Sequence, residues 1–153
     1  MEIEIKKLSP YDIEDFVKLI SVFESVFEWE NFSFPPISHL QKVLNNPHFF
    51  VFVATSEQKV VGGLTAYVLE MYETQKPSAY IYDLAVTTEN QRKGIGKLLI
   101  AHVNAYCEKN GFGEVFVHAE MEDIEAVSFY KKTQPSNELN ATHFTYSFEI
   151  IDK

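Results

Sequence analysis

Cysteine and glycine are both scarce: the 153 residues include one Cys and 6 Gly. A single cysteine excludes an intrachain disulfide and any metal site built on a cysteine cluster. Positive charge is also thin, with 13 Lys and Arg against 22 Asp and Glu, a formal net charge of −9. Such a surface repels phosphate backbones unless a local patch reverses its sign. Nucleic acid is therefore disfavoured as a partner, and a cationic small molecule would be attracted. Long apolar runs are missing too. The longest obvious one, Phe49 to Ala54, is too short to cross a bilayer, and the opening MEIEIKK lacks the apolar core of a secretory signal. No membrane association is expected, and the cytoplasm follows as the default location.

The length suits a single domain spanning 1–153 with a hydrophobic core of its own. Aromatics are plentiful, with 13 Phe and 8 Tyr, which fits either a dense core or a wide ligand cleft. Along the chain, Ile3 and Ile5 alternate with Glu4 and Lys6 as in a strand. Ser9-Pro10-Tyr11-Asp12 reads as a helix start, with Ser9 as N-cap and Asp12 closing a weak capping box. Phe16, Leu19, Ile20, Phe23, Val26 and Phe27 follow at helical spacing. Trp29 to Pro36 breaks the pattern, and a short helix over 37–46 ends near Asn46-Pro47.

Residues 48–55 and Val60 to Met71, joined by the polar turn Ser56 to Lys59, read as a hairpin, and Tyr80 to Val86 as a third strand beside it. The next helix is the best marked: Ile95, Leu98, Leu99, His102, Val103, Tyr106 and Cys107 recur at steps of three and four, and Gly111 stands where a C-cap glycine belongs. His102 and Cys107 are accordingly expected in the core. A strand at 114–119, a helix near 123–132 and a final strand around 142–150 complete a mixed α/β order with helices on the faces of the sheet.

Between the third strand and the marked helix lies Gln91-Arg92-Lys93-Gly94-Ile95-Gly96, followed by Lys97. The first amides of a helix have no internal acceptors and the helix dipole is positive there, so this turn is a candidate anion site. Glycines at 94 and 96 would let a pyrophosphate approach those amides, and Arg92, Lys93 and Lys97 reverse the local charge. The bland alternative is a glycine-bearing helix start with solvated basic residues. Neither a triphosphatase loop nor a Rossmann fingerprint fits, because no G-K-[ST] follows and position 99 is Leu.

Gln91-x-x-Gly94-x-Gly96 after Tyr82-Asp83-Leu84-Ala85-Val86 resembles motif A of the GNAT acetyltransferases. The resemblance implies a mostly antiparallel sheet with one splayed parallel pair of strands. It implies acetyl-CoA as co-substrate, with Gln91 to Gly96 and Lys97 on the pyrophosphate and the strand Leu84, Ala85, Val86 beside the pantetheine arm. A homodimer is a further family-level expectation.

Acetylating an amine requires its neutral form. For an amine as basic as lysine, freeing it at neutral pH costs roughly 4–5 kcal/mol, so a carboxylate able to take the proton is needed. Asp83, a charge within an otherwise apolar strand, is the candidate base. Its structural alternative is an ion pair or a backbone acceptor at a bulge. Asp123-x-x-Ala126-x-x-x-Tyr130 resembles the family's late N-x-x-A-x-x-x-Y motif, which implies that Tyr130 approaches the coenzyme sulfur as proton donor. By spacing alone Tyr130 could equally be a core residue. Two departures stand out: Asp123 replaces the usual Asn, and Lys132-Thr133-Gln134-Pro135 carries no glycine after the helix.

Ile81-Tyr82-Asp83-Leu84-Ala85-Val86, Ala119-Glu120-Met121-Glu122-Asp123, Ala126-Val127, His143-Phe144 and Val60 to Leu69 resemble the type I aminoglycoside 3-N-acetyltransferases over most of the chain from about residue 48. That similarity implies Asp83 as base and acidic residues after the fifth strand as the sugar's partners, matching Glu120 and Asp123. Glu122 and Glu125 cluster beside them. The same acids could simply favour a helix N-terminus, and Glu24, Glu28 and Glu30 are open to a solvated reading as well. His118 and His143 lack a metal-ligand arrangement, so no metal is expected. Two alternatives stay open: acetylation of another small or peptide amine, and a coenzyme A-binding regulator without catalysis.

Overall fold

The computed structural model describes residues 2–149. Its elements are β1 (Glu4–Lys7), α1 (Ile13–Phe27), α2 (Ile37–Asn45), β2 (Phe49–Ser56), β3 (Lys59–Leu69), β4 (Ser78–Val86), a 3-10 turn (Thr88–Asn90), α3 (Ile95–Lys109), β5 (Glu114–Val117) and α4 (Ile124–Lys132). The strands form one sheet in the order β1-β2-β3-β4-β5. Neighbours pair antiparallel except β4 and β5, which run parallel.

Both faces of the sheet are covered, and strand alternation divides the core in two. Phe50, Phe52, Leu64 and Ile81 pack under α3 with Ile95, Leu99, Val103 and Cys107. On the other face Phe49, Val51, Val53 and Ala85 meet Phe16, Leu19, Ile20 and Phe23 of α1, with Leu40 and Leu44 of α2. β2 is buried almost throughout because it contributes to both cores. The β2–β3 hairpin turns at Glu57 and Gln58, whose φ values of 51° and 67° suit a tight two-residue turn matched to strand twist. Gly63 lets α1 close on the sheet, since a Cβ there would stand 2.5 Å from the Phe52 carbonyl and 2.7 Å from Leu19 Cδ1.

Three sequence expectations are corrected. α1 begins at Ile13 rather than at Pro10, because residues 9–12 close a separate turn: the Asp12 amide donates to the Ser9 carbonyl at 3.0 Å and the Ser9 amide to Asp12 Oδ2 at 2.7 Å. His102 is exposed, not core. The buried stripe of α3 runs through Ile95, Leu99, Ile100, Val103 and Cys107, which leaves Leu98 and His102 on its flank. The final strand is not formed over residues 142–149, which are irregular and exposed; Ile150 lies outside the described residues. The C-terminal end of α3 is as expected, with Gly111 at φ 81° and the Phe112 amide donating to the Cys107 carbonyl at 3.0 Å.

Candidate active site

The turn before α3 is an open helix start. Gly94 sits at φ 83°, ψ 7°, a left-handed conformation that glycine adopts without strain, and Arg92 is left-handed as well, at φ 64°. The helical ladder begins with the Leu98 amide donating to the Gly94 carbonyl at 3.0 Å, so the amides just before it have no acceptor within the helix. A Cβ on Gly94 would meet nothing within 4 Å, so the demand for glycine there is conformational. Ile95 buries its side chain in the core, which pins the helix start and leaves only its backbone for a ligand. Gln91, Arg92, Lys93 and Lys97 are exposed around this turn. Gln91 also ties the turn back to β4, its Nε2 donating to the Val86 carbonyl at 3.0 Å.

β4 outruns its parallel partner. Pairing with β5 ends at Ile81 and Val117, whereas β4 continues to Val86 along β3. The Thr87 amide donates to Val61 on β3, so strand alternation turns the peptide groups of Val86 and Leu84 toward the unpaired edge. Ala85 is not presented there: its peptide faces β3 and its side chain is buried against α1.

Along the same strand, Thr65 pairs with Asp83 and Ala66 with Ile81, which leaves Tyr82 as the extra residue of a β-bulge. Ile81 and Leu84 both pack toward α3, so the two residues between them are displaced to the α1 side. The bulge thus re-aims Asp83 into the gap beyond the end of β5. The Asp83 amide donates to Thr65 Oγ1 at 3.3 Å and fixes the bulge.

α4 closes the gap from the opposite side. Its N-terminus is capped by Asp123, whose Oδ1 accepts the Ala126 amide at 3.1 Å, so the acid standing where the motif has Asn performs a capping function Asn could share. Gly96 admits the Phe129 ring, since a Cβ there would lie 3.0 Å from Cε1 and Cζ. This contact, with Leu84 behind it, keys α4 to the start of α3. Tyr130 is half-buried beside Phe129. Burial, then the charges of Asp83 and Asp123, push its phenol up to about 12, so it keeps its proton at neutral pH. The helix ends at Thr133, and Gln134 takes the left-handed position at φ 60° without being glycine.

Asp83, Tyr130 and Asp123 are therefore brought together next to the open helix start. Glu120 and Glu122 lie on the exposed turn between β5 and α4, at the outer rim. The sequence reading missed an aromatic row on the Asp83 side of the sheet. Tyr67 meets Tyr82 edge-on at 5.8 Å, Tyr82 meets Tyr80 at 6.2 Å, and Tyr80 stacks on Phe116 at 4.9 Å. His118 ends the row, with Nδ1 3.4 Å from the Tyr80 hydroxyl. Period-2 spacing of Tyr80 and Tyr82 was the available signal. The recesses elsewhere, of about 660 Å³ along α2 and about 540 Å³ beneath Leu8, His48 and Glu70, include none of these residues. Among the described residues no three His, Cys, Asp or Glu are grouped to hold a metal, and no helix is long and apolar enough to cross a membrane.

The acetyltransferase (GNAT) family model matches residues 15–134. The chain belongs to the GNAT acetyltransferases. It is 51% identical to the aminoglycoside acetyltransferase meta-AAC0020 from an uncultured soil metagenomic sample, solved with trehalose, at a TM-score of 0.95 over 96% of this chain and 97% of that one. The same enzyme has been solved with sisomicin, at 50% identity. Probable N-acetyltransferase san of Drosophila melanogaster is 26% identical over 98% of this GNAT chain and 70% of its own. A more distant fold neighbour, aminoglycoside N-acetyltransferase AAC(6')-Iy in complex with CoA, superposes at a TM-score of 0.76 with 14% identity, covering 95% of each chain.

Proposed function

We propose that this GNAT enzyme moves the acetyl group of acetyl-CoA to a primary amine of an aminoglycoside, at the 3-amino position. The observation that carries the reading is the convergence of Asp83 and Tyr130 on the gap beside the open start of α3. The residues present fit the donor. Amides of the turn 91–97, flanked by Arg92, Lys93 and Lys97, suit a diphosphate, and the open-edge peptides of Leu84 and Val86 suit an extended arm that carries amides. The donor supplies an acetyl thioester and a thiolate leaving group.

Asp83 takes the proton from the acceptor ammonium, directly or through water, and so releases the neutral nucleophile. Tyr130, held protonated by its surroundings, donates to the departing sulfur. The rows Tyr67, Tyr82, Tyr80 and Phe116 give the sugar rings an apolar wall, and Asp123, Glu120 and Glu122 add negative charge at the rim. Each exposed carboxylate contributes modestly, so affinity for the acceptor should fall as salt rises. The similarity to meta-AAC0020 supports an aminoglycoside as acceptor.

The test is a thiol-release assay with aminoglycosides, polyamines and peptide amines, followed by determination of the acetylated position. Turnover on an aminoglycoside with 3-N modification is expected. Asp83→Asn should lower kcat by about 10²-fold or more while the affinity for acetyl-CoA stays within a few-fold. Stabilisation by acetyl-CoA without turnover on any amine would instead favour a coenzyme-binding regulator.

A further inference from the structure

β1 carries a lysine in its apolar register. Ile3 and Ile5 pack toward α3, and strand alternation puts Lys7 on that same face, whereas Lys6 turns to Asp12 and Asp15. Lys7 pairs with Phe52 of β2. Its ammonium lies over two rings, 5.3 Å from the Tyr106 centroid and 6.0 Å from that of Phe50. Phe112 completes the corner, its centroid 6.3 Å from Tyr106 and 6.4 Å from Phe50. The turn after α3 holds Phe112 there, because its amide donates to the Cys107 carbonyl at 3.0 Å.

These groups line the cavity of about 540 Å³, a size that holds small ligands. Its charge is unbalanced. Among the described residues Lys7 forms no ion pair. Ring faces attract an ammonium, but they do not accept its N–H groups as strongly as a carboxylate does. Glu70 is the one acid lining the cavity among the described residues, and His48 engages it, Nε2 to Oε2 at 3.2 Å. An anion entering here therefore meets a cation that lacks a counter-charge and a carboxylate that already has a partner.

We propose that this corner is a second ligand site, taking an aryl carboxylate whose charged end pairs with Lys7 Nζ and whose ring packs against Tyr106 and Phe112. The rings select the aryl body: both are half-buried, with surface left to cover, and aromatic pairs at centroid separations of about 4.5–7 Å are favourable. The ammonium selects the charge. An ammonium ligand would face Lys7, and a small anion alone would leave the rings uncovered. The site is separate from the coenzyme turn. Tyr106 lies more than three turns along α3 from Gly94, roughly 18 Å away, and the cavity lining includes neither Asp83 nor Tyr130.

Amide shifts of the ¹⁵N-labelled full chain, titrated with 2-naphthoate, test the proposal. Lys7, Leu8, His48 and Phe112 should move together and saturate with a Kd on the order of 1 mM, as ligand efficiency sets for so small a molecule. Acetate and 2-naphthylmethylammonium should each bind several-fold more weakly. Lys7→Gln should weaken 2-naphthoate about threefold or more, and Lys7→Arg should restore it. Equal binding of acetate would overturn the role of the rings, and equal binding of the ammonium would overturn that of Lys7. Shifts confined to 91–97, or none among the four named amides, would overturn the site itself, and these ligand comparisons need no variant. No readout involves acetyl transfer, so failure here leaves the assignment of the acceptor untouched.

Discussion

The carboxylate of Asp83 and the phenol of Tyr130 sense each other across the gap between β4 and α4. After burial, the Asp83 charge is the largest influence raising the phenol, followed by Asp123. This relationship links the proposed proton acceptor to the proposed proton donor without a bond between them. Asp83→Asn removes the negative charge and should lower the Tyr130 pKa. Ultraviolet titration of the phenolate band, with Tyr130→Phe as subtraction, reads the shift. An unmoved titration would place the two groups too far apart to cooperate.

Alkaline stability provides an independent check. The native phenol holds its proton to about 12, whereas an unfolded tyrosine releases it near 10. The stabilisation is complete below about 10 and is lost as pH rises through about 12, because the unfolded state ionises first. Tyr130→Phe has no such proton. Urea midpoints at pH 9 and pH 11 should therefore fall less for the variant than for the parent. The loss that remains includes that from Cys107, raised by burial to about 11, from Tyr106, also raised by burial, and from Lys6, raised by its hydrogen bond to Asp12.

The two glycines of the turn should fail differently when replaced. Gly94→Ala meets no atom but must hold φ 83°, so a stability loss of about 1 kcal/mol is expected, visible in thermal unfolding. Gly96→Ala instead forces the Phe129 ring to move and disturbs α4, so kcat should drop with the placement of Tyr130. Equal kinetic and thermal profiles for the two variants would refute this division.

Asp123 allows its charge and its cap to be separated. Asp123→Asn keeps an acceptor for the Ala126 amide and should leave stability nearly unchanged, whereas Asp123→Ala should cost about 1 kcal/mol. If the charge also serves the cationic acceptor, both variants raise KM for an aminoglycoside by several-fold. KM measured at low and high salt distinguishes the two contributions.

Strong periodicity made most of the fold readable from the sequence. α3 was legible because five core residues recur on one stripe and Gly111 ends it; His102 was misplaced because steps of three and four cannot separate the centre of a stripe from its flank. The β2–β3 hairpin was marked by a polar turn between two apolar runs. The start of α1 was not, since Ser9 and Asp12 bond to each other before the helix begins, using the same residues a capping box would. At the site, Asp83 and Tyr130 stood out as a charge in an apolar strand and a motif tyrosine. The bulge at Tyr82 that aims Asp83 leaves no trace in residue types, and the aromatic row arises only when β3, β4 and β5 are set side by side. The final strand expected around 142–150 is not formed over the described residues 142–149, because pairing is a property of neighbours and no described strand pairs with this segment.

The notch beyond Ile81 and Val117 has a consequence for donor choice. Among the described residues the Leu84 peptide and the Val86 amide have no strand partner there, while the Val86 carbonyl already accepts from Gln91 Nε2, so whatever enters is asked to imitate part of an absent strand. An elongated tether with its own amides meets that demand, whereas a short acyl donor leaves the groups wet. Discrimination of this kind is written in main chain atoms, and side-chain replacement along the strand cannot erase it.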